Sequence, residues 1–172
     1  MKNHPPLSPR HAKGFTLIEV LAVMTIIAIL AALSFGGFNA MIKSSNNKAT
    51  QTRLALIGTK LQEYKLDTGV YPGAAADGDE DSAQILLQEL GGLDSAGQKI
   101  AGKKVYIAEL AQRSKDMTDG ETIIDKFGFP LRYRTGDAAT NPDFDLWSVG
   151  PDGETSLDNP DADDNVDDLR NF

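Results

Sequence analysis

The chain has 172 residues, no cysteine and a formal net charge of −8 at pH 7. That acidity argues against nucleic acid as a partner, because phosphate binding needs clustered Lys and Arg. Disulfides, thiol nucleophiles and thiolate metal sites are excluded by the lack of cysteine. Both histidines, His4 and His11, precede residue 14, so the rest of the chain lacks the commonest general base. Composition therefore predicts that the protein is not an enzyme.

The surplus negative charge lies at the C-terminal end. Residues 15–136 carry 14 acidic and 13 basic side chains, whereas residues 137–172 carry 11 acidic side chains and one basic side chain, Arg170. A run of like charge is usually a solvated, disordered tail. This run is interleaved with Gly, Pro and apolar residues, which is also compatible with a cation site, and the sequence leaves both interpretations open.

An uncharged stretch of 23 residues, Val20–Ile42, follows the N-terminal segment. As a helix it measures about 35 Å, enough to cross a hydrocarbon core of about 30 Å. Glu19 lies directly before it, where a carboxylate is costly unless it finds a partner. Basic residues concentrate on the near side, which favours a cytoplasmic N-terminus; they are Lys2, Arg10 and Lys13. We therefore expect a leader (1–14), a transmembrane helix (15–42) and a head (43–172).

The segment Lys13-Gly14-Phe15-Thr16-Leu17-Ile18-Glu19-Val20 resembles the processing site of type IV pilins and type II secretion pseudopilins. The resemblance implies that a prepilin peptidase cuts between Gly14 and Phe15 and methylates the new Phe15 amine. It also implies that Glu19 pairs with the Phe15 amine of a neighbouring subunit. From the residues alone, an ordinary signal peptide and a signal anchor that tolerates one Glu remain open.

Periodic patterns beyond the apolar stretch predict an α+β head. Leu54, Ile57, Leu61 and Tyr64 are spaced by 3, 4 and 3 residues, which predicts one buried face of a long helix that ends near residue 68. A short helix is predicted over 82–90, a strand over 105–107 and a short helix over 108–113. Alternating residues predict two antiparallel strands, 130–134 and 144–149, on either side of a turn. This arrangement resembles the type IV pilin-like fold.

The acidic end resembles the C-terminal loop of major pseudopilins, where a calcium ion is held. Hard cations such as calcium take six to eight oxygen ligands, and carboxylates and carbonyls supply them. The resemblance implies the Val149 carbonyl and the carboxylates of Asp152, Asp167 and Asp168 as ligands. The loop is longer here, so substitutes are expected among Asp158, Asp161 and Asp163.

The resemblance as a whole implies a structural subunit of a type II secretion pseudopilus. Such a subunit waits in the bacterial inner membrane with its head in the periplasm and then polymerises, with minor pseudopilins and an inner-membrane assembly platform as partners. The filament helps to drive protein export across the outer membrane. Two alternatives remain: a type IV pilus subunit for adhesion or DNA uptake, and a membrane-anchored calcium-binding protein that does not polymerise.

Overall fold

The computed structural model describes residues 14–73, 76–79, 81–156, 159 and 162–171, with the backbone alone at 33–37. The chain divides into two compact units, one up to Met41 and one from Ile42 onward. Its elements are α1 (Leu17–Thr68), α2 (Ser82–Gly91), α3 (Ala108–Ala111), β1 (Arg132–Thr135), β2 (Phe144–Ser148) and β3 (Leu169–Arg170). Short 3-10 helices span Gly136–Ala138 and Asp163–Asn165. The predicted α+β fold, a long N-terminal helix with a small antiparallel sheet, is confirmed.

The N-terminal unit consists of the first part of α1. Its backbone is helical from Leu17 and continues through Gly36 and Gly37. Every residue from Gly14 to Ala32 is exposed, and most of them are apolar. In the part of the chain that the structure describes, no helix combines the length and apolarity needed to cross a membrane. A helix that is apolar on all its faces is normally covered by something else.

In the second unit, α1 packs its predicted apolar stripe on the head. Leu54, Ile57 and Leu61 are all buried, the last two completely. Tyr64 packs against the same core, and its hydroxyl donates a 2.9 Å hydrogen bond to Glu89. The helix ends at Thr68, as the sequence predicts. Burying a stripe of this kind is what stabilises an amphipathic helix.

Two short helices complete the core beside α1. The predicted helix over 82–90 is confirmed as α2, which buries Leu86 and Leu90. The predicted strand over 105–107 is wrong. The amides of Tyr106 and Ile107 donate to the Leu90 carbonyl, near the end of α2. The segment therefore provides hydrogen-bond donors for a helix-terminal carbonyl, and it pairs with none of the described strands. Helix α3 follows as predicted but ends at Ala111.

The sheet has the order β1-β2-β3, and both pairs are antiparallel. Strands β1 and β2 form the predicted hairpin, with Arg132 opposite Trp147. Asp145 holds the hairpin together: its carboxylate accepts a 2.9 Å bond from Arg134 and two bonds from the turn amides of Thr140 and Asn141. Trp147 is buried, as expected of a core residue. Strand β3 forms the third strand of the sheet and was not predicted from the sequence.

A buried arginine ties the segment before the sheet to α1. The Arg53 side chain is 3% exposed, and its guanidinium donates to the carbonyls of Ile124 and Asp116. Burial lowers the pKa of Arg53, whereas the nearby Asp116 and Asp125 carboxylates favour the charged form. Thr50, one turn earlier, accepts a 3.2 Å bond from the Lys126 amide. This stretch is therefore fixed to α1 by hydrogen bonds as well as by the buried Ile123.

We predict that Arg53→Met destabilises the protein by about 2–4 kcal/mol, because hydrogen bonds to charged groups contribute about 1.5–3 kcal/mol each. Denaturant unfolding of the full chain in detergent measures this change. Lys48→Met is the matched control: Lys48 is an exposed cation on the same helix, so its loss should change stability by less than about 0.5 kcal/mol. Equal effects of the two substitutions would contradict the prediction.

Candidate functional site

The predicted processing site opens α1 with a reciprocal cap. The Thr16 amide and hydroxyl both donate to Oε2 of Glu19, at 2.9 and 2.8 Å. In return the Glu19 amide donates to the Thr16 hydroxyl oxygen at 3.3 Å. Thr16 precedes the first helical residue and Glu19 is the third helical residue, which is the arrangement of a capping box. The Glu19 carboxylate, which would be costly in apolar surroundings without a partner, therefore has a local role in starting the helix.

Glu19 nevertheless stays available to a second partner. Both local contacts use Oε2, and the side chain is exposed among apolar neighbours. Gly14 and Phe15 lie directly before the cap, outside the helix, and Phe15 is 81% exposed. The structure thus brings the predicted cleavage point and the carboxylate to one helix end.

The second candidate site begins where β2 ends. The Ser148 hydroxyl donates a 2.6 Å bond to buried Asp125 and accepts a 3.2 Å bond from the Gly150 amide. Gly150 has a φ of +75°, and a Cβ there would lie 2.7 Å from the Asp167 carbonyl oxygen. Gly153 has a φ of +77°, and a Cβ there would lie 2.6 Å from the Phe129 ring. Both positions therefore require glycine. The absence of a side chain at Gly150 lets the Asp167 backbone pack against the turn.

Hydrogen bonds of Asn165 and Thr155 close the acidic loop. The half-buried Ser156 backbone donates its amide to Asn165 Oδ1 at 2.9 Å. Asn165 Nδ2 donates to the carbonyls of Ser156 and Asn159, at 3.1 and 2.7 Å. The Thr155 hydroxyl lies 2.8 Å from Asp168 Oδ2. The described part of this segment is therefore a packed loop and not a disordered tail.

Asn171 fixes the end of the segment to the sheet. Its amide donates to the Leu146 carbonyl, and its side-chain oxygen accepts a 2.6 Å bond from the Leu146 amide. Leu169 packs against the core. Phe172, Asp158 and Asp161 lie outside the described residues.

The predicted calcium ligands are only partly brought together. Asp167 lies beside Asp152, whose charge acts on it. The Asp168 side chain is fully buried and pairs through Oδ2 with Arg170 at 2.8 Å, while its Oδ1 has no hydrogen-bond partner among the described residues. Val149 is buried next to the turn, and Asp163 is exposed. Among the described residues, no three acidic or histidine side chains form a group able to hold a metal.

Burial and a neighbouring negative charge both raise the pKa of Asp167. Partial burial, followed by repulsion from the Asp152 carboxylate, raises the pKa of Asp167. Lys43 of α1 opposes this shift, and its Nζ lies 4.0 Å from Asp167 Oδ2. The donors of this loop are oxygen atoms, the type that hard cations prefer, but the described residues bring only two carboxylates together, those of Asp152 and Asp167.

Comparison with known proteins gives the family. Residues 9–35 match the model of the prokaryotic N-terminal methylation motif. Type II secretion system core protein G of Pseudomonas aeruginosa is 30% identical over 156 residues, which cover 90% of this chain and 94% of that protein. The chain belongs to the type IV pilin-like family.

Other members of this family are pilus proteins. A fimbrial protein of Dichelobacter nodosus is 30% identical over 147 residues, covering 67% of this chain and 91% of that protein. The type IV wide pilus major component PilA4 of Thermus thermophilus is 44% identical over 63 residues, covering 36% of this chain and 47% of that protein. These relatives are structural subunits and not enzymes. No solved structure matches the chain.

Several residues of these sites were not singled out from the sequence. Thr16 had a readable signal, because Thr followed three residues later by Glu is the capping-box pattern. Lys43 and Asn171 had none, because their partners lie far away in the chain. Thr155 and Asn165 had none, because their partners lie across an irregular loop whose conformation no sequence pattern predicts. Their roles follow from the pilin-like fold, which brings the C-terminal segment back to α1 and β2.

Proposed function

We propose that this pilin-like protein is a subunit of a type II secretion pseudopilus and helps to drive protein export across the outer membrane. The observation that carries the proposal is the match to a type II secretion core protein over 94% of that protein's length. The similarity therefore extends through the head and is not limited to the N-terminal motif. The alternative, a type IV pilus subunit, is supported by the fimbrial relative, whose match covers 67% of this chain.

Processing prepares the subunit for assembly. A prepilin peptidase cuts between Gly14 and Phe15 and methylates the Phe15 amine, in keeping with the matched methylation motif. The capping box survives this cut, because Thr16 and Glu19 both lie beyond it. The new ammonium of one subunit then pairs with Glu19 of its neighbour. In apolar surroundings this pair is strongly favoured, since leaving either charge alone costs several kcal/mol.

The exposed apolar residues of α1 supply the assembly surface. Before assembly, residues 15–42 cross the inner membrane once, with the N-terminus in the cytoplasm and the head in the periplasm. In the filament, this helix contacts the same helix of other subunits and of minor pseudopilins in place of lipid. The inner-membrane assembly platform delivers the subunits. The support for this proposal is the uncharged run Val20–Ile42 together with the exposure of its described side chains in the single chain.

Calcium is the cation that suits the acidic loop of the head. Asp152 and Asp167 would hold it, together with the Val149 carbonyl and the free oxygen of Asp168. Asp158, Asp161 and Asp163 remain candidate substitutes from the sequence. When bound, calcium neutralises the adjacent carboxylates and adds a cross-link to the hydrogen bonds that Asn165 makes.

Deleting the gene in its own host tests the choice between export and pili. We expect proteins normally exported across the outer membrane to accumulate in the periplasm, while surface pili remain. Complementation with the intact gene is the control. Loss of pili with normal export would favour the pilus alternative.

A charge-only substitution tests the assembly role of Glu19. Glutamine at this position of a capping box still accepts the Thr16 amide but carries no charge. We therefore expect Glu19→Gln and Glu19→Ala both to be processed to N-methylated Phe15, as mass spectrometry measures, and both to be absent from filaments. Glu121→Ala, which removes an exposed carboxylate of the head, should assemble normally. Normal filaments from Glu19→Gln would show that Glu19 acts only through its cap.

Thermal unfolding tests the calcium proposal. For a ligand at about 100 times its Kd, the stabilisation is about 2.7 kcal/mol, so calcium should raise the Tm of the detergent-solubilised full chain by several degrees over its value in chelator. Asp152→Ala should remove this rise. Asp164→Ala, an exposed acidic control in the same loop, should retain it. An unchanged Tm of the unaltered protein with calcium would contradict the proposal.

A further inference from the structure

A groove of about 430 Å³ lies in the head between α1 and the sheet. Phe144 and Asn171 line it on the side of the sheet. On the helix side it is lined by exposed residues spaced so that they share one face of α1; these are Gln51, Ala55, Thr59 and Gln62. This face differs from the stripe that α1 buries in the head, so it is open to a partner.

The groove face continues along α1 to an exposed leucine. Leu66 lies about one helical turn beyond Gln62 and is 87% exposed. A single exposed leucine is ordinary on a protein surface. Here it extends a groove that already has the apolar side chains of Leu54 and Phe144 in its lining. Together they form a surface on which a partner could bury apolar area.

The groove is a surface without carboxylates on an acidic protein. The chain carries a net charge of −8, yet the described residues that line the groove include no Asp or Glu. Between Glu19 and Glu63, the sequence contains no acidic residue. Two acidic copies of the chain repel each other wherever unpaired carboxylates meet. The groove is therefore a place where a second copy can dock without this repulsion.

Carboxylates that adjoin the groove residues are already paired with cations. Asp143 directly precedes Phe144 and lies 3.0 Å from the Lys65 ammonium. Asp168 lies 2.8 Å from the guanidinium of Arg170, which also lines the groove. These pairs leave the groove with little net charge of either sign.

We propose that a second copy of this chain docks in the groove when the filament forms. This inference rests on the proposed function, in which the subunits polymerise, and it adds a contact of the head to the packing of the N-terminal part of α1. Helix α1 runs from Leu17 to Thr68, so the groove belongs to the same helix whose earlier residues form the proposed assembly surface. Continuity along α1 and the lack of carboxylates both favour a second copy as the occupant.

Substitutions that change charge but not size test the proposal through filament assembly of the full chain in its own host. Gln51→Glu combined with Gln62→Glu places two carboxylates in the groove. We expect about tenfold less of this double variant in filaments than of the unaltered protein, because like charges brought together at an interface are strongly unfavourable. The matched control, Gln98→Glu combined with Gln112→Glu, adds the same charge at exposed positions outside the groove and should assemble normally.

A larger side chain tests the same surface by size. Ala55→Arg fills the groove, keeps a good helix former in α1 and should also lower the amount in filaments. Ala101→Arg, at an exposed alanine elsewhere in the head, is its control. All these positions are exposed, so the Tm of each detergent-solubilised variant should equal that of the unaltered protein. Mass spectrometry should find N-methylated Phe15 in every variant.

Photo-crosslinking identifies the occupant. A photoreactive phenylalanine analogue in place of Thr59, which lines the groove, should give an adduct of two copies of the chain in assembled filaments. An adduct with a different protein would overturn the proposal.

The remaining outcomes separate this inference from the proposed function. If the unaltered protein forms no filaments, both are overturned. If it forms filaments and the groove variants assemble equally well, the inference alone is overturned. An equal loss of filaments in the control variants would also overturn it, because the effect would then come from net charge or bulk anywhere on the head. So would a lower Tm of the groove variants alone, because the groove would then be filled within one chain.

Discussion

The structure depends on one helix whose residues need two different environments. From Leu54 onward, α1 has a narrow apolar stripe, which packs against the core of the head. Before Ala32, apolar side chains are exposed around the whole circumference. A lone helix has no second layer against which to bury such a surface. The proposed membrane insertion and the proposed filament would each supply that layer.

In the proposed filament, Glu19 would fix the register in which α1 packs against its copies. An apolar helix could pack against its copies in many registers, since dispersion and lipid exclusion are not specific. One carboxylate near the helix start removes most of these registers, because each leaves a charge unpaired. The capping box adds a condition: Thr16 already holds Oε2 and keeps the side chain at the helix end. The carboxylate is therefore held in place before a second subunit arrives.

The sequence predicted those parts of the fold whose signals are local. Each of these elements, the α1 stripe, α2 and the strands of the β1–β2 hairpin, is marked by a regular spacing of apolar residues that is visible within about ten residues. All of them are present in the structure. The two errors, at residues 105–107 and at β3, have one physical cause: the partners that decide the structure lie outside the local segment. The segment over 105–107 has a strand-like composition, but its amides are taken by the end of α2. Strand β3 has only two residues, and its pairing with Trp147 and Ser148 spans more than twenty residues of chain.

The candidate sites divide in the same way. Gly14, Phe15 and Glu19 lie within one short motif, so the sequence alone was sufficient to predict a role for them. The acidic loop is instead built from contacts that follow no regular spacing. The sequence could suggest that a cation was needed to hold so long a loop. It could not show that Asn165 and Thr155 already close it, or that Arg170 takes one oxygen of Asp168. A loop closed by hydrogen bonds has its oxygen atoms partly placed in advance, which would lower the ordering entropy that the proposed calcium ion must overcome. In that proposal calcium would act on the charge of the loop more than on its folding, because the hydrogen bonds of Asn165 already fold it.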